Sequence, residues 1–498
     1  MGLLRFVTEH RRLLTEERLK RSYVSGMDEA PFYGRTLLTD DQLVIEREED
    51  HSGCFAIPWP VPGHGDWLLA TATLPERELP YLLEVELARG LVFRVRDQLA
   101  VWQMLGLEAS EDLLAGVRQA TIAFSRAATR QRANPAEGSR QAQEAILIAA
   151  DAACVLAELY ADQALALRRQ GDDKLSTLLG AQVGTEPPKK PKADRLTQAF
   201  NLAIVPCGWA DIEPNEGRRK WSRAENPLGW ARGAGMRVCA GPLLEFDEHR
   251  LPDWAYLWEG DLDTLNSLMV GHVRAVVERL KGKVQLWNVA SRVNRDRVLS
   301  LSDDQRLQIV ANAIRTVRKL DPQTPVIVGF DQPWGEYRGS RPTELSPLDY
   351  ADAIERADLG VAGFNLELNI GYGPQATELR NPLAFSRLID MWNVRLESPL
   401  MLSITFPSAS TPDSLANAHN RVTAHGEEAD LLSPEFQAEW ARRRLPMLLA
   451  KNAVQVIAWN QLTDAAPHPW PHGGLFDGDD QEKPIVGELQ SLRESLLM

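Results

Sequence analysis

Cysteine is scarce in this chain. Cys54, Cys154, Cys207 and Cys239 lie far apart, and no Cys-x-x-Cys pair occurs. Such spacing supplies neither a disulfide framework nor a zinc ribbon, so buried free thiols are expected. Cys207 and Cys239 fall on neighbouring predicted strands, which leaves a bridge between them open. Long apolar runs are also missing: nothing approaches the ~18 unbroken apolar residues of a membrane span. From Met1 to Lys20 the chain is rich in Arg and Glu and lacks the apolar stretch of a secretory signal, which gives the expectation of a cytoplasmic protein. Basic residues are in deficit, 55 against 69 acidic, for a formal charge of −14. That balance disfavours nucleic acid and anionic membranes as partners. His468 and His472 form a His-x-x-x-His pair in a Pro-rich loop, weak evidence for a metal. Surface roles are expected for them, with no metal and no cofactor.

What is present is a normal apolar content, 44% of 498 residues, enough for one large domain and smaller ones beside it. Residues 1–80 alternate short β-prone runs (Gln42 to Glu46, Cys54 to Trp59, Trp67 to Thr73) with Pro, Gly and Asp. This reads as a small, jelly-roll-like sandwich, a possible accessory carbohydrate-binding unit. Residues 81–170 turn to helical spacing, broken once at Asn134-Pro135, and predict two or three long helices. Ile146, Ile148, Ala149, Val155 and Leu156 are expected on their core face.

From 171 to 498 apolar strand candidates alternate with helical stretches. They are Leu175–Val183, Phe200–Val205, Arg237–Leu244, Val284–Val289, Pro325–Phe330, Leu359–Leu366, Pro399–Thr405 and Val454–Asn460. Eight buried strands interleaved with helices predict an α/β fold, a parallel (β/α)8 TIM barrel. Pro187–Lys192, a short basic run after the first strand, reads as a solvated loop. Asp211 and Glu213 suit the start of the helix after the second strand.

Within this region Gly271-His272-Val273-Arg274-Ala275-Val276-Val277-Glu278-Arg279, then Lys281-Gly282-Lys283-Val284 and Trp287-Asn288-Val289, resembles the glycoside hydrolase family 10 xylanases. Further segments agree in order: Gly241 to Asp247 with Leu251-Pro252-Asp253-Trp254, Ala362-Gly363-Phe364-Asn365, Trp459 to Asp464, and Gly474-Leu475-Phe476-Asp477 with Lys483-Pro484. The resemblance covers about Leu175 to Leu492. It implies a polysaccharide or oligosaccharide partner and two glutamates, an acid/base on the fourth strand and a nucleophile on the seventh.

The residues at those places differ. The acid/base place maps to Arg292, which cannot donate a proton near neutral pH, and the nucleophile place to Ile404, or to Thr405 with an offset of one. The second-strand Pro-Glu-Asn-x-x-Lys-Trp becomes Pro206-Cys207-Gly208-Trp209, the third-strand His maps to Pro242, and the sixth-strand Gln-x-His becomes Asn365-Leu366-Glu367. Expected ligand-holding residues are Trp209, Trp287, Trp459 and Trp470 near strand ends, with Arg292 and Asn365; a plain core role stays open for Trp287. Three acids at predicted strand ends, Glu245, Asp331 and Glu367, could support displaced catalysis if two stood about 5 to 9 Å apart. For each the competing reading is an ion pair with Arg, above all Glu367 with Arg292, which would lower the Glu367 pKa. Three functions remain: a saccharide-binding barrel without the usual retaining chemistry, a divergent hydrolase with relocated carboxylates, or a non-catalytic scaffold for a protein partner.

Overall fold

A computed structural model describes residues 2–26, 29–48, 50–169, 174–295, 298–341, 345–374, 376–424 and 427–498. Eight parallel strands close into a barrel: β1 (Leu178–Gln182), β2 (Leu202–Val205), β3 (Arg237–Ala240), β4 (Leu286–Ser291), β5 (Val326–Asp331), β6 (Gly363–Asn369), β7 (Leu400–Thr405) and β8 (Val454–Trp459). Closure comes from β8 against β1, with Val456 opposite Leu178 and Trp459 opposite Ala181. The strands read as apolar runs because both faces are buried. Leu202, Ile204, Cys239, Ile327, Met401, Val456 and Ala458 fill the inside. Alternate residues such as Ala203, Val205, Val238, Val328 and Leu402 pack outward beneath the helices.

Two strands end three or more residues from their predicted ends. β3 stops at Ala240 because Gly241 takes a φ of +131°, and a Cβ there would sit 2.2 Å from the Asn288 carbonyl oxygen. The chain then rejoins the sheet briefly at Leu244–Glu245, paired with Ala290 and Ser291 of β4. β6 starts after the left-handed Gly360 and runs on to Asn369, pairing with β7 from Phe364–Leu400 to Asn369–Thr405. Glu367 therefore lies inside a strand, where tertiary pairing has outweighed the local sequence signal.

Before the barrel, two four-stranded sheets form a sandwich. One holds Gly34–Leu38, Leu43–Arg47, Gly2–Val7 and Tyr81–Leu82; the other Pro31–Phe32, Tyr23–Ser25, Cys54–Val61 and Gly65–Ala70. Phe6 and Phe55 meet between them at 5.1 Å. Three helices follow: α1 (Leu83–Met104), α2 (Glu111–Arg130), capped by Ser110, and α3 (Pro135–Arg168), capped by Asn134. On α3 Ile146, Ala149 and Leu156 are buried, but Val155 is 44% exposed, since it lies off the stripe they define. The sandwich and helices pack against the barrel within one continuous core. No helix among the described residues is long and apolar enough to cross a membrane. All four cysteines are free, so Cys207 and Cys239 form no bridge; Cys54 is half-buried and the other three are buried.

Candidate functional site

At the C-terminal ends of the strands the connecting loops enclose a cleft of about 440 Å³. Its wall combines Phe246 to Arg250 after β3, Arg292 to Arg295 after β4, Tyr337 and Arg341 after β5, Leu415 to Asn420 after β7, and Pro467 to Trp470 after β8. Beneath it a chamber of about 30 Å³ is lined by Gln182, Asn288, Asn365, Glu367, Ser403 and Asn460, among others. This is the face where sites form in such barrels.

Arg292 organises the floor. Its φ of +57° is a left-handed conformation rare for a side chain of this size. The chain thereby leaves β4 with the guanidinium held among carboxylates, and the contacts it makes over-determine the strained backbone. Arg292 Nε donates to Glu367 Oε2 at 3.0 Å, and Nη1 reaches Asp247 Oδ2 at 2.6 Å and Glu245 Oε1 at 3.3 Å. Arg295 spans Asp247 Oδ2 and Asp331 Oδ2, both at 2.6 Å, and Arg250 lies 3.7 Å from Glu245. The detour at Gly241 is what brings Glu245 and Asp247 over the end of β4: Leu243 N bonds Asn288 O and Phe246 N bonds Ser291 O. Four carboxyl groups and three guanidiniums thus share one largely buried cluster, with Arg250 at its more exposed edge.

Burial and neighbours split these acids. Burial pushes the Glu367 carboxyl up, but Arg292 and the donating Ser291 hydroxyl outweigh it and hold it below the usual range. Asp247, half-buried and facing Arg292 and Arg295, also stays well below its ordinary value. For Glu245 burial prevails over Arg292 and Arg250 and raises the carboxyl, and Asp331 is raised in the same way against Arg295 and Arg292. Arg292 is held more firmly protonated than usual, because its carboxylate partners outweigh the cost of burial.

Glu245, Asp331, Glu367 and Arg292 are therefore brought together, with Asn365 in the chamber below, where it accepts a bond from Ser403 Oγ at 2.9 Å. The tryptophans divide. Trp470 borders the cleft 5.8 Å from the Arg292 guanidinium, its backbone held by two bonds to Gln461, but it is only 1% exposed and its ring packs on Tyr372. Trp287 points outward into the core and donates to Asp321, and Trp459 supports the next loop by donating to Gly473 O. Trp209 is buried against Trp254 and His272 and donates to Glu213. None of these three borders the cleft: the pleat turns Trp287 and Trp459 away, and Trp209 opens the short helix Trp209–Ile212.

β7 shows the same alternation. Met401 faces inward and Leu402 and Ile404 outward, so the inward positions beside Ile404 are Ser403, which lines the chamber, and Thr405. His272 is likewise structural: burial pushes its imidazole down to about 4, and Nε2 contacts Cys207 O. Asp211 does lie in the first turn of the short helix Trp209–Ile212, but Glu213 ends that helix rather than starting it. His468 is buried, not superficial, with Nε2 on Asp413 Oδ2 at 2.9 Å.

Sequence reasoning passed over Arg295, Asp247, Glu248, His249, His419 and Ser403. The three-residue spacing of Arg292 and Arg295 was a usable signal; nothing local pairs His249 with His419.

Residues 184–325 match the family model for glycosyl hydrolase family 10. The barrel is glycoside hydrolase family 10-like. Endo-1,4-beta-xylanase C of Paenibacillus barcinonensis is 24% identical over 262 residues, 46% of this chain and 23% of that protein. Endo-1,4-beta-xylanase 3 of Hypocrea jecorina (strain QM6a) is 30% identical over 124 residues, 24% of this chain and 35% of that one. The matches thus span roughly a quarter to a third of those relatives' lengths. Native xylanase 10B of Thermotoga maritima superposes with a TM-score of 0.48 at 17% identity, covering 66% of this chain and 97% of that one. Residues 184–325 therefore resemble family 10 glycoside hydrolases in sequence, and the barrel has the parallel eight-stranded architecture that the resemblance implies.

Proposed function

We propose that the family 10-like barrel binds a β-linked saccharide of the xylan or glucan type in this cleft, without the two-carboxylate retaining displacement. The observation that carries this reading is Arg292: it stands where the resemblance puts the acid/base, and it is bound to Glu367, Asp247 and Glu245. A guanidinium cannot protonate a leaving oxygen, and ion-paired Glu367 makes a poor general acid. The arginine and asparagine donors along the cleft suit hydroxyl oxygens, and Trp470 lies buried behind its wall. Titration with xylo- and gluco-oligosaccharides, followed by tryptophan fluorescence and calorimetry, should show saturable binding. Trp470→Ala should weaken it by about 1.4 kcal/mol, roughly tenfold in Kd. No binding by the wild type would overturn the proposal.

One observation favours a second reading, hydrolysis by relocated carboxylates: Glu245 and Asp331 are held above the usual carboxylate range, as a general acid requires. Turnover of aryl xylosides, aryl glucosides or soluble xylan, abolished by Glu245→Gln or Asp331→Asn, would replace the first reading with this one.

A further inference from the structure

The cleft rim carries a group of side chains that saccharide binding does not require. Glu248 and His249, after β3, and His419, after β7, each offer a ligand-type atom, and all three atoms lie within 4.8 Å of one another. Glu248 Oε1 is 3.5 Å from His249 Nε2, and the two imidazole rings stack with centroids 5.5 Å apart and 16° between their planes. All three residues are exposed and line the cleft. The carboxylates behind them, Asp247 and Glu245, are engaged by Arg292, Arg295 and Arg250, so this donor set stands apart from the floor cluster.

Two imidazoles and one carboxylate are the ligands of a zinc-type ion; magnesium and calcium prefer all-oxygen shells. Around a tetrahedral ion with bonds near 2 Å, ligand atoms sit roughly 3.4 Å apart. From separations of up to 4.8 Å the group must therefore contract by at most about 1.4 Å and its rings must turn out of the stack, within the reach of exposed side chains. Three protein ligands leave a fourth position, the pattern of metal sites that exchange water for a bound molecule rather than of closed structural sites. We propose that Glu248, His249 and His419 form a zinc-type divalent metal site on the cleft wall, its open position facing the cleft and filled by water or by an oxygen of the bound molecule. The two histidines come from loops after β3 and β7, so the ion ties the two sides of the cleft together.

Calorimetric titration of the full chain with zinc chloride, with no saccharide present, tests this independently of the proposed function. One zinc ion per chain should bind with a Kd of about 10 μM or tighter, and cobalt substitution should give visible absorption bands. His249→Ala and His419→Ala should each weaken binding by about 100-fold or more, beyond the usual effect of losing an outer-shell partner. His51→Ala, at an exposed histidine of the N-terminal sandwich, should leave it unchanged. Because the ligands are exposed, the variants should unfold at the wild-type temperature when metal-free. Absence of stoichiometric binding, or binding that survives both cleft-histidine substitutions, would overturn the proposal.

Discussion

At the scale of single residues, the energetics of the floor rest on Arg292. Moving one guanidinium and its carboxylates out of water costs several kcal/mol per ion, and mutual attraction at 2.6 to 3.3 Å offsets much of it. Removing the cation alone leaves Glu367, Asp247 and Glu245 short of a partner. Arg292→Ala should therefore destabilise the protein by about 3 to 5 kcal/mol, read as a fall in the urea midpoint at constant slope. A drop below about 1 kcal/mol, the scale of a surface pair, would show that the cluster is better hydrated than its burial indicates. The identity of residue 292 was legible in the sequence, because Trp287-Asn288-Val289 locates it. Its partner Glu367 was expected too. Asp247 and Arg295 were not, since the left turn at Arg292 and the detour at Gly241 bring them in, and neither is a local propensity.

Elements meet at two glycines whose surroundings are opposite. Where α1 crosses the strand Gly65–Ala70, a Cβ on Gly90 would lie 1.9 Å from the Ala70 carbonyl oxygen. Helix and sheet backbones touch there, and Arg94 Nη1 donates to the same oxygen at 3.1 Å. Gly90→Ala must push the helix off the sheet and should cost about 3 kcal/mol, the upper end for overpacking. On α2, by contrast, nothing lies within 4 Å of a Cβ at Gly116, and Gly116→Ala should stabilise by roughly 0.5 to 1 kcal/mol through helix propensity. Thermal unfolding of the two variants should move in opposite directions. Helical spacing made α1 to α3 readable from the sequence, but which helix face meets a sheet backbone is set by packing.

Across the whole molecule, the N-terminal sandwich is fastened to the loop after β6 by buried ionic groups. Arg21 meets Glu378 at 2.8 Å, and Arg380 donates to Tyr23 and to Glu336. At a more exposed contact, Arg443 on the helix Pro434–Leu449 meets Glu158 of α3. Burial, only partly opposed by Arg21, pushes the Glu378 carboxyl from 4.5 up to about 7. Because the folded value lies above the unfolded one, the folded state binds more protons between them. The stability Glu378 contributes is thus full below about pH 4.5 and is lost as pH rises through about 7, on the order of 3 kcal/mol in all. Glu378→Gln should flatten that part of the stability profile relative to the wild type, measured by denaturant unfolding from pH 4.5 to 8. Parallel profiles for the two proteins would refute the assignment.

The eight barrel strands follow from chain order and apolar runs alone, because a strand buried on both faces needs no partner in view to declare itself. Motif segments such as Gly271–Arg279 add the family resemblance in the same local way. Side-chain direction is another matter. Trp287 and Trp459 sit in well-matched segments yet point away from the cleft, and Ile404 gives way to its neighbours Ser403 and Thr405, since one step along a pleated strand reverses the face. The floor cluster and the Glu248, His249 and His419 group are assembled by barrel closure, which brings loops after β3, β4, β5 and β7 to a common mouth. Charges and imidazoles so far apart in sequence acquire partners only when the strands that carry them are closed into a ring.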